Sequence, residues 1–195
     1  MNMLTLTLVL AAQTVTPPSN GAPPGFTMNR TGAPTDFLYF EGGWNTHQHR
    51  MVMSGDRRGQ WDDFPGTLCA TPFLAGHATI DELYFPRTRT AGLTLRTFDN
   101  AARQWSIYWV SSATGRLDPV PVVGGFQGDR GEFYASDRVA GRPVKVRYLW
   151  TIQDHDHARW EQAFSFDDRT WEINWTADFV RGDAAALCEG GRPRR

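Results

Sequence analysis

Cysteine is scarce in this chain: Cys69 and Cys188 stand in no CxxC or other metal-ligand spacing, which removes the common zinc and dithiol motifs. Two states are open to them, a disulfide in an oxidising compartment or a pair of free thiols. Neither charge is in excess, since Lys and Arg total 20 against 21 Asp and Glu, a formal net charge of −1. The basic residues are mostly Arg and scattered singly, which argues against a nucleic-acid or anionic-membrane surface. Long apolar runs are missing too. The run Leu4 to Ala12 is far shorter than the roughly 20 residues that span a bilayer. No G-x-S-x-G elbow offers a serine nucleophile. Val122–Gly131 is rich in glycine but has neither phosphate-binding spacing, and it reads as a hairpin turn. Helical periodicity is absent apart from a short turn near Asp36–Phe40.

What is present is the composition of one soluble globular domain: 195 residues, 41% hydrophobic, with eight Trp and twelve Phe to build a core. Residues 1–12 have the length and the small residues Ala11 and Ala12 of a signal peptide, which would make the protein exported or periplasmic; without it the protein would be cytoplasmic. A Pro/Gly-rich linker follows over 13–35. The folded domain is expected over 36–181, with a flexible tail at 182–195.

Within the domain the governing pattern is period-2 alternation, the signature of strands. It runs through Thr46–Met53, Gly92–Phe98, Gln104–Ser111, Glu132–Arg138, Val144–Ile152, Arg159–Phe166 and Thr170–Val180, with turn residues such as Asp99-Asn100, Gly141-Arg142-Pro143 and Asp167-Asp168 between them. Short strands at this spacing predict an all-β fold, an antiparallel up-and-down barrel in preference to a sandwich. The last three strands share an aromatic face, including Tyr148, Trp150, Trp160, Phe164, Trp171 and Trp175, opposite a polar face. The simplest arrangement turns the rings inward. The reverse would leave a polar lumen of Arg147, Glu161, Glu172 and Asn174.

The run FEGGWNTHQHRM (Phe40–Met51) resembles the opening of lipocalin-like barrels, with Gly42 and Trp44 in the place of the Gly-x-Trp motif that starts the first strand. The segments Gly92–Pro119, Gly131–Asp137 and Arg159–Arg181 are similar to a bacterial family of uncharacterised lipocalin-like (calycin-type) β-barrel proteins. That resemblance covers nearly all of 36–181. It implies a lipocalin-like barrel closed at one end by Trp44, and no activity, since the family has none assigned.

Chemistry-bearing residues are few. His47 and His49 form an H-x-H pair on one strand face, like the start of a cupin metal motif, but Met53 and Ser54 stand where that motif wants Glu. No metal is therefore expected, and the pair reads as surface histidines. Asp154-His155-Asp156-His157 reads as a solvated hairpin loop. Haem would need a late inward histidine, and the strands after His157 have none, so no cofactor is expected. The favoured reading is a binding protein whose interior, lined by Trp44, Trp109, Trp150, Trp160, Trp171 and Trp175, holds a small apolar or aromatic molecule. The alternative is a cofactor-free isomerase, cyclase or hydrolase drawing on His47, His49, Arg96, Arg147, Glu161 and Asn174 in the same cavity.

Overall fold

The computed structural model describes residues 29–52 and 59–195. The expected signal peptide at 1–12 and most of the expected linker at 13–35 lie outside the described residues. Ten strands form one closed antiparallel barrel: β1 (Gly42–Met51), β2 (Trp61–Phe73), β3 (Ala78–Phe85), β4 (Thr90–Asp99), β5 (Gln104–Ser111), β6 (Val122–Gln127), β7 (Arg130–Val139), β8 (Arg142–Ile152), β9 (His157–Ser165) and β10 (Glu172–Gly182). Each pairs with its neighbours in sequence, and β1 pairs with β10 to close the ring. This is the expected all-β up-and-down barrel.

Alternation in the sequence becomes inside and outside in the barrel. In β8, Val146, Tyr148 and Trp150 face the lumen while Lys145 and Arg147 face out. In β9, Trp160, Gln162 and Phe164 face in. Tight turns join the strands. At the β4–β5 turn the Asp99 carboxylate accepts hydrogen bonds from the amides of Ala101 and Ala102, at 2.7 and 2.9 Å, and so replaces ladder bonds the turn cannot make. Val122–Gln127, read from sequence as part of a turn, is instead strand β6; only Gly128 and Asp129 turn the chain. The glycines there leave room for the facing backbone, not for a ligand.

One end of the barrel is packed solid. The chain enters through a short 3-10 turn, Leu38–Phe40, which drives Phe37 and Phe40 into the lumen. Phe37 meets Trp105 and Phe126 edge-on at centroid distances of 5.0 and 5.1 Å, and Phe40 meets Trp150 and Phe179 at 5.1 and 5.3 Å. Edge-to-face pairs of this kind each contribute about 0.5–1.5 kcal/mol beyond the area they bury. Residues 29–35, from the expected linker, are tied to the barrel: Gly32 N–H donates to the Arg103 carbonyl at 2.8 Å, and the Trp105 indole donates to the Ala33 carbonyl at 3.1 Å. Trp44 is fully buried; its indole N–H donates to the Phe40 carbonyl at 2.9 Å. The Arg181 guanidinium, from β10, lies 4.1 Å over the Trp44 ring and donates to the carbonyls of Tyr39 and Glu41. One arginine thus holds the entering segment, the first strand and the last strand together.

The segment 182–195, expected as a flexible tail, carries a single helical turn, α1 (Ala184–Leu187), capped by Asp183, whose carboxylate accepts from Ala185 N–H at 2.9 Å. Two short strands, β11 (Cys188–Glu189) and β12 (Arg192–Pro193), follow. Gly43 lets α1 approach β1, since a Cβ there would lie 3.1 Å from Ala184 Cα. Cys188 is disulfide-bonded to Cys69 of β2 across 119 positions. A long closed loop restricts the unfolded chain strongly, which is commonly worth about 2–4 kcal/mol. Cys188→Ser is accordingly expected to lower unfolding stability by about that amount, read by urea titration, with reductant giving the wild type the same loss. An unchanged midpoint in both would mean that the tail does not constrain the barrel.

Candidate functional site

Beyond the aromatic plug the barrel is hollow. A cavity of about 250 Å³ remains between the plug and the open end. Its floor is a buried ion pair. Arg96 of β4 and Asp81 of β3 are 3% and 1% exposed and bonded to one another, and Arg96 also donates to Thr79 Oγ1 at 3.3 Å. The guanidinium lies over the rings of Phe37, Phe40 and Trp150, at 4.7, 5.5 and 5.8 Å, so its other side is covered by the plug. Two charges in so dry a place are expensive to hold, and they persist because each compensates the other. Arg96 therefore separates the filled half of the barrel from the empty half.

The wall above that floor is aromatic. Tyr148, Trp160, Trp175 and Trp109 form a chain of edge-to-face contacts, with successive centroid distances of 5.0, 5.3 and 6.2 Å. Gly92 makes the last ring's position available: a Cβ there would sit 1.7 Å from the Trp109 ring. Gln48 is fully buried and fixes the wall, accepting from the Trp175 indole at 2.8 Å and donating to Thr46 Oγ1 at 2.9 Å. Gln162 lines the cavity and donates to the Asn174 carbonyl oxygen at 2.7 Å. Tyr148 has no hydrogen-bond partner for its hydroxyl among the described residues. Burial pushes its pKa above the ordinary tyrosine value, and the carboxylates of Asp118 and Asp137 push it further. The hydroxyl stays protonated and available as a donor.

Toward the mouth the cavity meets an outer groove of about 400 Å³, and Arg50, Trp109 and Trp175 border both. Arg50 stacks 4.2 Å over Trp175. It is exposed on the mouth side, yet the apolar surface beneath it lowers its pKa by desolvation.

Of the residues singled out from sequence, Trp109, Trp150, Trp160 and Trp175 line the cavity, whereas Trp44 is sealed in the plug. Trp171 is a correction. A β-bulge between Ile173 and Trp175 shifts the β10 register, so Ile173 pairs with the outward Ala163 while Trp175 pairs with the inward Gln162. The alternation that joined Trp171 to Trp175 is interrupted, and Trp171 packs outside, beside Tyr134 and 4.9 Å from the Arg147 guanidinium.

The polar candidates are not brought together in the lumen either. Only Arg96 lines it. His47 and His49 point outward from β1, their side chains 60% and 41% exposed, and share Asp63 as an ion-pair partner at 3.7 and 2.9 Å. His49 also stacks on Trp61. Arg147 is on the outer face of β8, and Glu161 on that of β9, where Arg159 bridges Glu161 and Asp178 at 3.0 and 2.7 Å. Asn174, at the bulge, reaches the site only through Gln162. Among the described residues no three metal-ligating side chains converge; His155 lies in the loop after β8 and His157 is the first residue of β9, each beside an Asp carboxylate. Asp81, Gln48, Tyr148 and Arg50 belong to the site and were not singled out for it. Tyr148 stood on the aromatic face, whose direction the sequence left open; Gln48 and Arg50 carried a signal in their same-parity spacing with Trp44, and Asp81 joins the site through its ion pair with Arg96.

No protein-family model matches the sequence, and no curated protein matches it. Among solved structures it is similar to a redesigned β-barrel, at 9% identity and a TM-score of 0.44, over 78% of this chain and 100% of that one.

Two outcomes follow from this geometry. Asp81→Leu strands Arg96 without its counter-ion and is expected to cost about 3–5 kcal/mol, whereas Asp81→Leu with Arg96→Met should recover most of that loss. Urea unfolding of both variants checks it, and a single substitution costing under about 1 kcal/mol would contradict a floor built on the pair. The second concerns alkaline pH. The unfolded chain ionises Tyr148 near the ordinary value of 10.0 while the folded chain keeps the proton to higher pH, so folding stability should fall as pH rises past that value. Tyr148→Phe should flatten the fall. An unchanged slope would show that Tyr148 is not the group responsible.

Proposed function

We propose that this protein is a lipocalin-like carrier or sensor that binds a small aromatic or apolar molecule in the barrel lumen. One observation carries the reading: the barrel is sealed at one end by aromatic packing and left hollow above it, with a continuous wall of Trp109, Trp160, Trp175 and Tyr148. Small barrels that serve only as scaffolds fill their interiors with side chains. The volume, about 250 Å³, lies between an apolar cavity of about 150 Å³ that takes up benzene and the roughly 300 Å³ at which drug-sized pockets begin. One or two fused rings suit it. Gln162, Tyr148 and Arg50 supply the few polar contacts that orient a ligand in such a site.

A binding role is favoured over a catalytic one because the polar candidates do not converge. Arg96, the one of them in the lumen, is occupied by Asp81. We also propose that the protein is exported: the Cys69–Cys188 disulfide suits an oxidising compartment, and the apolar run at Leu4–Ala12 has the length of a signal sequence.

Isothermal calorimetry with indole as probe tests the binding reading. Wild-type protein is expected to bind indole, and Ala135→Phe, which places a ring in the cavity, should abolish binding while leaving the unfolding midpoint close to that of the wild type. Failure of the wild type to take up indole, or undiminished uptake by Ala135→Phe, would count against the lumen as the site.

A further inference from the structure

Resting on that binding reading, we infer that the ligand is an acid: a small aromatic body seated in the lumen, with a carboxylate-type anionic group directed at Arg50 in the mouth. Three arginines border the two cavities. Arg96, at the floor, is neutralised by Asp81. Arg87, beside the outer groove, is held by both carboxylate oxygens of Asp62. Arg50 alone of these has no ion pair and no hydrogen bond among the described residues, and its one contact of note is the face of Trp175. Its guanidinium borders the inner cavity and the outer groove together, as Trp175 and Trp109 do. A ring lying against those two tryptophans therefore brings any short acidic arm to Arg50.

An arginine is suited to that task, because its planar fork matches a carboxylate and carries a fixed charge. Desolvation depresses the Arg50 pKa, and Asp62, opposite it on β2, is bonded to Arg87, so an anion would supply the compensation. The opposite side of the cavity has the reverse sign. Asp118 and Asp137 act on the Tyr148 hydroxyl there and form no ion pair with any described residue. They repel an acid from the Tyr148 side and leave Arg50 as its place, so the charges set a direction for the ligand as well as a preference.

Calorimetry with three probes of one ring system separates the terms: indole-3-propionate is anionic, indole neutral and tryptamine cationic. Indole-3-propionate is expected to bind about tenfold more tightly than indole, the size of a charge-assisted hydrogen bond near a surface, and tryptamine more weakly than indole. Arg50→Gln should bring the affinity ratio of indole-3-propionate to indole down to about one, whatever the loss of the Trp175 stack does to indole itself, while Arg50→Lys should retain part of the ratio. Equal affinities for all three probes would overturn the inference, as would tryptamine binding best, which would transfer the recognition to Asp118 and Asp137. If indole itself fails to bind, the lumen reading falls, and the charge inference with it. If indole binds and the acid gains nothing, only the charge inference falls.

Discussion

Everything in this molecule depends on the β1–β10 ladder that closes the barrel. Gly43 through Arg50 pair with Gly182 through Trp175, so no strand edge is left open in the ring and each strand has a definite inside. Closure forces half of every strand's side chains into one shared space, and the size of those side chains then decides whether the space is full. Large rings crowd one end: Phe37, Phe40, Trp44, Trp105, Phe126, Phe133 and Phe179. Arg181 fastens that end by bridging the entering segment and Trp44. At the other end Thr94, Ala135 and Val146 are too small to meet across the lumen, and a cavity is left.

The boundary between the halves is polar, an unusual place for charge. Asp81 and Arg96 could be replaced by apolar residues at little cost in stability. As they stand, they put a fixed dipole beneath the cavity and a cation against the plug rings. The tryptophans above them contact one another edge-on, and the Gln48 carboxamide fixes Trp175 through its indole N–H. A wall held in this way presents its shape before a ligand arrives, which lowers the entropy lost on binding.

Much of the fold was legible in the sequence because a barrel strand buried on one face writes its structure as alternation. Val144–Ile152 and Arg159–Phe166 divided into an aromatic and a polar face in sequence, and the closed barrel turns the aromatic one inward. The plug did not, since Asp36–Phe40 is short and its rings find partners only through strands distant in the chain. β2 and β3 were also missed: Pro65, Gly66 and Pro72 interrupt the pattern of β2, and in β3 the inward Asp81 breaks the expected polarity. The site was legible only in part. Four of the six tryptophans read as lining residues do line the lumen, but the extra residue at the Ile173–Trp175 bulge reverses the face of Trp171, and a bulge leaves no mark on the period-2 pattern until pairing is known. The histidines drew attention as potential ligands, yet their face followed from Trp44. His47 and His49 have the opposite parity to that buried ring, so they point to solvent.

The lumen above Arg96 is an enterable cavity walled by Trp109, Trp160 and Trp175. A crystal pressurised with xenon tests it most directly, because xenon collects in apolar cavities and scatters strongly. A xenon atom is expected inside the barrel, against those three rings. A lumen without xenon, closed by inward movement of the same tryptophans, would contradict it.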